Sequence, residues 1–377
     1  MIHFRALPFS IFVLSILLFF VFLNTSTPAY LTHASKNLLW KYRPIKGSSD
    51  ISNSTLGFQK VFAVGLPERS DKRDALTLIS SLTGFKIDWI DGVKGETIAD
   101  KAVPYGVDRV KLWESNLGSW RGHMNAVRAI VERNLTSALI LEDDMDWDYR
   151  LKSQLLTFSS GSHFVQYPHS SSMPSSFHSP YGDNWDLLWL GHCGEVFPET
   201  LDEYKDRTPN DPEIELLSRK YIITSDPTVP PATHFKGFQN LTQHEHTRWV
   251  HTTGGPICTF AYALSQSGAR KVLWDMSVDK LAGPFDNALA GLCRWGRTSS
   301  KLGMRCVSVT PGVFMHHKAK GWVGGDSDIQ NVGGDRKGDQ EVVREKGMTE
   351  NVVWSVRANI REILMGERCK DQFVEEG

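Results

Sequence analysis

Strands that alternate with helices predict an α/β fold, a mostly parallel sheet with helices packed against its faces. Three observations lead there. Short, continuous apolar runs recur along the chain (Val61–Leu66, Ala138–Leu141, Asp186–Leu190, Thr259–Leu264 and Arg305–Val309), the pattern of strands buried on both faces. Segments with apolar residues at helical spacing lie between them. The first strand–helix–strand unit spans about thirty residues, the size of a parallel crossover. The chain has 377 residues and 41% hydrophobic content, enough to bury a substantial core.

Ala6–Leu23 is an 18-residue apolar stretch broken only by Pro8, Ser10 and Ser15, with His3 and Arg5 before it. Two readings compete. Residues 1–23 form a signal anchor with the N-terminus in the cytoplasm, or they form a cleaved signal peptide. The first makes the protein a single-pass type II protein of the Golgi or endoplasmic reticulum membrane, and the second a secreted one. Both place the remainder in the secretory lumen, and sequons at Asn24, Asn53, Asn134 and Asn240 agree. Residues 24–57, rich in Ser, Thr, Asn and Lys, read as a stem or linker.

Folding is expected to begin near Lys60. Val61–Leu66 reads as a strand. Ser70 or Asp71 is placed to cap a helix to about Thr83, with Leu76, Ile79 and Leu82 on one face. Phe85, Ile87 and Trp89 alternate with polar residues in a second strand that closes at Asp91-Gly92. Trp120, Met124, Val127, Val131 and Leu135 define an amphipathic helix with Ser119 as its cap. Phe158–Asn184 reads as a long surface loop and residues 197–250 as a polar insertion. Ser265 caps the helix that carries Val272 and Met276, and Pro284 opens a short helix with Asp286 in its first turn. After Arg305–Val309 come His316 and His317. Residues 321–377 read as an extension, with a mobile loop over 321–340 and a terminal helix over Asn351–Leu364.

With 42 basic and 43 acidic residues the net charge is −1, which gives no pull toward nucleic acid. Five cysteines without a Cys-x-x-Cys suggest neither a zinc knuckle nor a thioredoxin-type site, and the odd count leaves at least one thiol free or paired with another chain. No Gly-x-Ser-x-Gly, P-loop or dinucleotide fingerprint is present.

Ser137–Asp148 stands out. Its apolar run ends in Glu142, Asp143 and Asp144, with Asp146 and Asp148 following, five carboxylates in seven residues. Unscreened, they repel one another and raise their own pKa values. A divalent cation relieves this, and hard oxygens suit Mg²⁺, Mn²⁺ or Ca²⁺. The competing reading is a solvated acidic turn. An EF-hand loop is excluded, since its sixth position would be Tyr149 rather than Gly and its twelfth Leu155 rather than Glu. A carboxylate-held metal at a sheet edge suits a diphosphate leaving group, and in the secretory lumen nucleotide sugars supply one. Arg69 and Arg73, just past the first strand, face such a phosphate or form a solvated first turn. Asp286 is the candidate base for an acceptor hydroxyl, or a carboxylate that meets its helix dipole.

Several stretches together resemble glycosyltransferase family 25, the lipopolysaccharide- and collagen-galactosyltransferase type, in particular its fungal members. They are Val61-Phe-Ala-Val-Gly-Leu-Pro-Glu-Arg-Ser-Asp-Lys-Arg, Asp88-Trp-Ile-Asp-Gly, Gly118-Ser-Trp-Arg-Gly-His, Leu139-Ile-Leu-Glu-Asp-Asp and Thr259-Phe-Ala-Tyr-Ala-Leu-Ser-Gln-Ser-Gly-Ala-Arg. The resemblance covers about residues 60–315. It implies a single GT-A-like domain over residues 58–320, Mn²⁺ (or Mg²⁺) dependence, inversion, and transfer of a sugar, usually galactose, from a UDP-sugar to a glycan or glycoprotein acceptor. It implies donor binding by Arg69, Arg73, Asp91, His123, Glu142 and Asp143. Metal ligation falls to Glu142, Asp144 and His316, with His317 as the alternative last ligand. Ser119 and Arg-Gly-His depart from the family's usual Cys and Ser-His pattern. The alternative function is a luminal carbohydrate-binding or scaffolding protein without catalysis on the same fold.

Overall fold

The computed structural model describes residues 48–237, 244–297, 301–329 and 342–374. The apolar span of residues 1–23 and most of the Gly/Asp-rich loop lie outside the described residues. Among the described residues no helix is long and apolar enough to cross a membrane, so the transmembrane, type II expectation finds no support there.

Packing starts before Lys60, inside the stretch read as a stem. Ile51 and Leu56 are fully buried. Strand β1 (Lys60–Gly65), helix α1 (Ser70–Leu82) and strand β2 (Asp88–Asp91) form the expected crossover, with β1 and β2 parallel. The N-cap of α1 is Arg69, and no side chain caps the helix. Helix α2 (Glu114–Glu132) starts five residues ahead of Ser119, which lies within the helix rather than at its cap. Strand β3 (Ser137–Glu142) pairs parallel to β1, and β4 (Met145–Trp147) follows directly.

Helix α3 (Leu151–Gln166) replaces the first part of the expected surface loop. Its inner face carries polar side chains that hydrogen-bond to the loop that follows. Ser159 donates to the Pro180 carbonyl. Ser162 Oγ lies 2.9 Å and Gln166 Nε2 2.7 Å from the Tyr181 carbonyl. His163 Nε2 lies 2.9 Å from Pro180 O. Such a face carries a loop's composition without being a loop.

Strands β5 (Leu187–Gly191), β6 (Lys220–Ile223), β7 (Arg248–Thr252), β8 (Ala261–Ser265) and β9 (Cys306–Thr310) complete an eight-stranded sheet in the order β2-β1-β3-β8-β5-β9-β7-β6, with the short helix α4 (Pro212–Leu217) beside its edge. The sheet is mixed: β5 and β9 are parallel, while β8 runs antiparallel to both neighbours and so does β7. The segment read as an insertion thus contributes two strands of the sheet. Ser265 caps helix α5 (Gln266–Leu273) by accepting from Gly268 N–H, as expected, and helix α6 (Phe285–Trp295) carries Asp286 in its first turn. Strand β10 (Phe314–Lys318) contains His316 and His317, so they belong to a strand rather than to a trailing loop. It pairs with β4 on one side and β13 (Met348–Thr349) on the other, after the small β11 (Gly321–Trp322) and β12 (Val343–Arg344) ribbon. The terminal helix α7 is only Ile360–Met365.

Alternation along the strands builds two cores. Phe62, Val64, Ile140 and Tyr262 face α2, α5 and α6. Val61, Ala63, Leu139 and Leu141 face α1 and α3. Two disulfides, Cys193–Cys258 and Cys293–Cys306, leave Cys369 free.

Candidate active site

The parallel pairing of β1, β2 and β3 brings Gly65, Asp91 and Glu142 to one edge of the sheet, their carboxyl edge. Ligands of α/β sheets bind beyond such an edge. β8 runs the other way, so the residues before it, Thr259 and Phe260, reach the same edge, and Glu142 N–H donates to Phe260 O.

Three neighbouring cavities open here. The first, about 390 Å³, is walled by Gly65, Gly92, Gly118, His123, Glu142 and Asp143, among others. A Cβ at Gly65 would collide with the Asp143 carboxylate, and one at Gly118 with the Val93 carbonyl, so close approach explains both glycines. A smaller cavity of about 150 Å³ shares Ser119, Glu142 and Asp144 with the first, and adds Asp286 and His316. A third, about 400 Å³, shares His316, Phe260 and Cys258 with the second.

The five carboxylates divide. Asp146 is fully buried, accepting from Trp147 N–H at 2.8 Å, Thr349 Oγ1 at 2.6 Å and Arg357 N–H at 3.1 Å. Asp148 accepts from Trp354 N–H at 2.9 Å and from both Nε and Nη2 of Arg150. These two hold the turn together. Glu142, Asp143 and Asp144 face the cavities. Glu142 Oε1 accepts from Thr259 Oγ1 at 2.8 Å and lies 3.6 Å from His123 Nε2. His123 is 2% exposed, stacks on Phe285 with ring centroids 4.4 Å apart, and shares a 3.0 Å hydrogen bond between Nδ1 and Tyr262 OH. With the Tyr262 hydroxyl donating to Nδ1, the ring proton sits on Nε2 and faces Glu142.

Lys72 is a cavity-lining charged residue that sequence reasoning misses. It projects from the inner face of α1, 7% exposed. Its Nζ lies 3.2 Å from Asp143, 3.1 Å from Asp144 and 2.9 Å from Asp328. Burial works against its charge, but Asp144, Asp143 and Asp328 hold its pKa above the ordinary lysine range. Burial and the neighbouring Asp144 charge push Asp143 up to about 7, against the pull of Lys72. Burial opposes ionisation of Asp144 too, yet Lys72 and His316 keep its pKa below the usual carboxylate value. The detectable signal was spacing: Lys72 precedes Leu76 and Ile79 on the apolar face of α1, where a lysine needs a partner.

Arg69 and Arg73 are both engaged by acidic partners. Arg69 pairs with Asp71 at 2.7 Å and with Asp328 at 2.5 Å. Arg73 braces the strand ends: it donates to Gly65 O at 2.9 Å, meets Asp91 at 2.5 Å and covers the Trp89 ring. Neither arginine nor Asp91 is among the residues that wall the three cavities.

His316 Nε2 lies 3.5 Å from Asp144 Oδ2. His317 turns away, with Nδ1 2.9 Å from Thr349 Oγ1, and burial lowers its pKa to about 4. Among the described residues no group of three or more His, Cys, Asp or Glu side chains is placed to hold a metal ion. Asp144 Oδ1 and His316 Nε2, however, are buried without a hydrogen-bond partner among the described residues. Mg²⁺-type cations take one or two protein carboxylates and complete their shell with substrate phosphates and water, and Asp144 with His316 fits that demand. Asp286 Oδ2 accepts from Cys258 N–H at 3.1 Å, so the disulfide-linked loop fixes its carboxylate in the cavity that also contains Glu142 and Asp144.

Procollagen galactosyltransferase 1 of Danio rerio is 25% identical to this chain over 177 residues, 42% of the chain and 26% of the relative. The chain is thus similar, at low identity, to a protein named as a galactosyltransferase. Procollagen galactosyltransferase 1-A of Xenopus laevis is 22% identical over 259 residues, 64% of this chain and 33% of the relative. A Bos taurus protein described as probable inactive glycosyltransferase 25 family member 3 is 22% identical over 249 residues, 63% of this chain and 32% of its own. The chain thus spans about a third or less of the curated relatives it matches. No protein-family profile matches it.

Proposed function

We propose that the chain is an inverting, metal-dependent glycosyltransferase that moves a sugar, galactose by analogy with its relatives, from a UDP-sugar to a glycan or glycoprotein acceptor. The observation that carries this reading is the placement of Glu142 and Asp144 in the wall shared by two cavities at the sheet's carboxyl edge, in a chain similar to procollagen galactosyltransferases.

The donor lies in the cavity of about 390 Å³, and the acceptor approaches from the Asp286 side. Asp286 takes the proton of the acceptor hydroxyl as its oxygen attacks the anomeric carbon. The carbon–oxygen bond to the diphosphate breaks on the opposite face, so configuration inverts. Asp144 and His316 would hold a divalent cation, Mn²⁺ or Mg²⁺, and such an ion would supply positive charge against the departing diphosphate. Glu142 is oriented by Thr259 and by the His123–Tyr262 pair. The two disulfides support an oxidising compartment such as the secretory lumen.

A second reading is a carbohydrate-binding or scaffolding protein without catalysis. One observation favours it: a relative is itself described as probable inactive. Incubation with a panel of UDP- and GDP-sugars plus Mn²⁺, scored for donor hydrolysis and transfer, separates the two. Turnover of one UDP-sugar is the expected result. Glycan binding with no turnover of any donor would select the second reading.

A further inference from the structure

Residues Asp326–Ile329 wall all three cavities between them. Asp326 pairs with Arg344 through two hydrogen bonds of 2.9 and 2.8 Å. The Ile329 carbonyl accepts from Ser115 Oγ at 3.1 Å. Between these anchors Asp328 reaches the start of α1, more than 250 residues earlier in the chain. Its Oδ1 lies 2.5 Å from Arg69 and its Oδ2 2.9 Å from Lys72 Nζ.

One acid group that spans two cations with two oxygens is the manner in which a phosphate binds. The other carboxylates on Lys72, those of Asp143 and Asp144, follow strand β3 directly and are fixed by the sheet. Asp328 alone of the three comes from a distant segment, and its side chain is 33% exposed. The first turn of α1 has no side-chain cap, so its N–H groups and dipole also favour an anion here.

We propose that Lys72 and Arg69 form an anion site for the diphosphate of the donor, and that Asp328 occupies this site until a phosphate displaces it. This rests on the donor reading given above. The exchange replaces one anion by another, so the cations stay neutralised throughout. A diphosphate brings more oxygens and more charge than a carboxylate, and the displacement is therefore favourable. Asp328 then acts as an internal competitor that sets the donor affinity.

The test uses the full chain in metal-free buffer, titrated calorimetrically with inorganic pyrophosphate and, separately, with UDP. Asp328→Asn removes the competing charge from a part-exposed position and is expected to bind pyrophosphate about tenfold more tightly than wild type, a difference of about 1.4 kcal/mol. Lys72→Met, its fold checked by circular dichroism, is expected to bind at least tenfold more weakly. Pyrophosphate affinity unchanged or weaker in Asp328→Asn overturns the proposal, whatever Lys72→Met does. If Asp328→Asn tightens pyrophosphate but no UDP-sugar is turned over, the anion exchange stands and the glycosyltransferase reading falls. If UDP-sugars are turned over and Asp328→Asn changes neither titration, the reverse holds.

Discussion

His316 Nε2 stands 3.5 Å from Asp144 Oδ2, yet Asp144 Oδ1 and His316 Nε2 both lack a hydrogen-bond partner among the described residues. Buried polar atoms left unsatisfied cost stability unless something binds them. The pairing arises from β10, which lies antiparallel to β4 with His316 opposite Met145. We predict that Asp144→Asn and His316→Ala each weaken Mn²⁺ binding in the presence of UDP by tenfold or more. Electron paramagnetic resonance of free Mn²⁺ measures this directly. An unchanged free-ion signal in both variants would remove these residues from the metal site.

Glu142 receives one hydrogen bond from Thr259 and faces a histidine held by Tyr262 and Phe285. Glu142→Gln should lower sugar transfer at least a hundredfold while the melting temperature moves by no more than a few degrees, because the side chain stays the same size. Thr259→Val removes a single neutral hydrogen bond worth about 1 kcal/mol, so a smaller fall, near fivefold, is expected. The ratio of the two effects is the informative quantity. Equal losses would mean that Glu142 only shapes the strand end.

Asp286→Asn should lower kcat by about 10²–10⁴-fold, the range of a positioned general base, with little change in KM for the donor. Steady-state kinetics with saturating acceptor checks it. A carboxylate that served only the dipole of α6 would cost stability instead, about 0.3–1 kcal/mol, and leave kcat in place.

Much of this arrangement was legible in the sequence because the central strands β1, β3, β5 and β8 are apolar on both faces. The acidic run at the end of β3 was visible for the same reason: carboxylates stand out where they follow a buried apolar strand. Strands β6 and β7 were not legible. Arg248 in β7 is 2% exposed and bonds Asp226 at 2.8 Å and the Gly312 carbonyl at 2.9 Å, so burial there is polar and leaves no apolar period. Helix α3 was hidden by Ser159, Ser162, His163 and Gln166, whose partners sit in a loop that follows it. Lys72 was masked by the charged run around it. Asp328 and Arg357 act through partners more than 200 residues away, which no local pattern records.

The last prediction concerns Glu195, whose side chain is fully buried at the end of the loop after β5. Its Oε1 accepts from Gly254 N–H at 2.8 Å, and Oε2 lies 3.4 Å from His192 Nε2 and 4.0 Å from His251 Nε2. Burial pushes the Glu195 carboxyl up to about 8, with the Gly254 N–H, the Ser308 and Thr310 hydroxyls and the Arg297 charge opposing it. Burial lowers His192 to about 4. It lowers His251 to about 3, helped by His192 and Lys220. Between pH 6.5 and 8 the folded chain keeps a proton on Glu195 that the unfolded chain has lost, so stability falls as pH rises, by about 1.4 kcal/mol per unit and about 2 kcal/mol in all. Below pH 6.5 the unfolded chain protonates both histidines while the folded chain does not, so stability falls as pH drops, and the Glu195 contribution offsets only part of this. These three groups therefore place a maximum near pH 6.5. Glu195→Gln should remove the Glu195 part of the fall on the alkaline side and steepen the fall on the acid side, where its offset is lost. Calorimetric melting temperatures from pH 5 to 8.5 measure both limbs, and a wild-type profile that stays flat from pH 6.5 to 8 would show that Glu195 is already ionised in the fold.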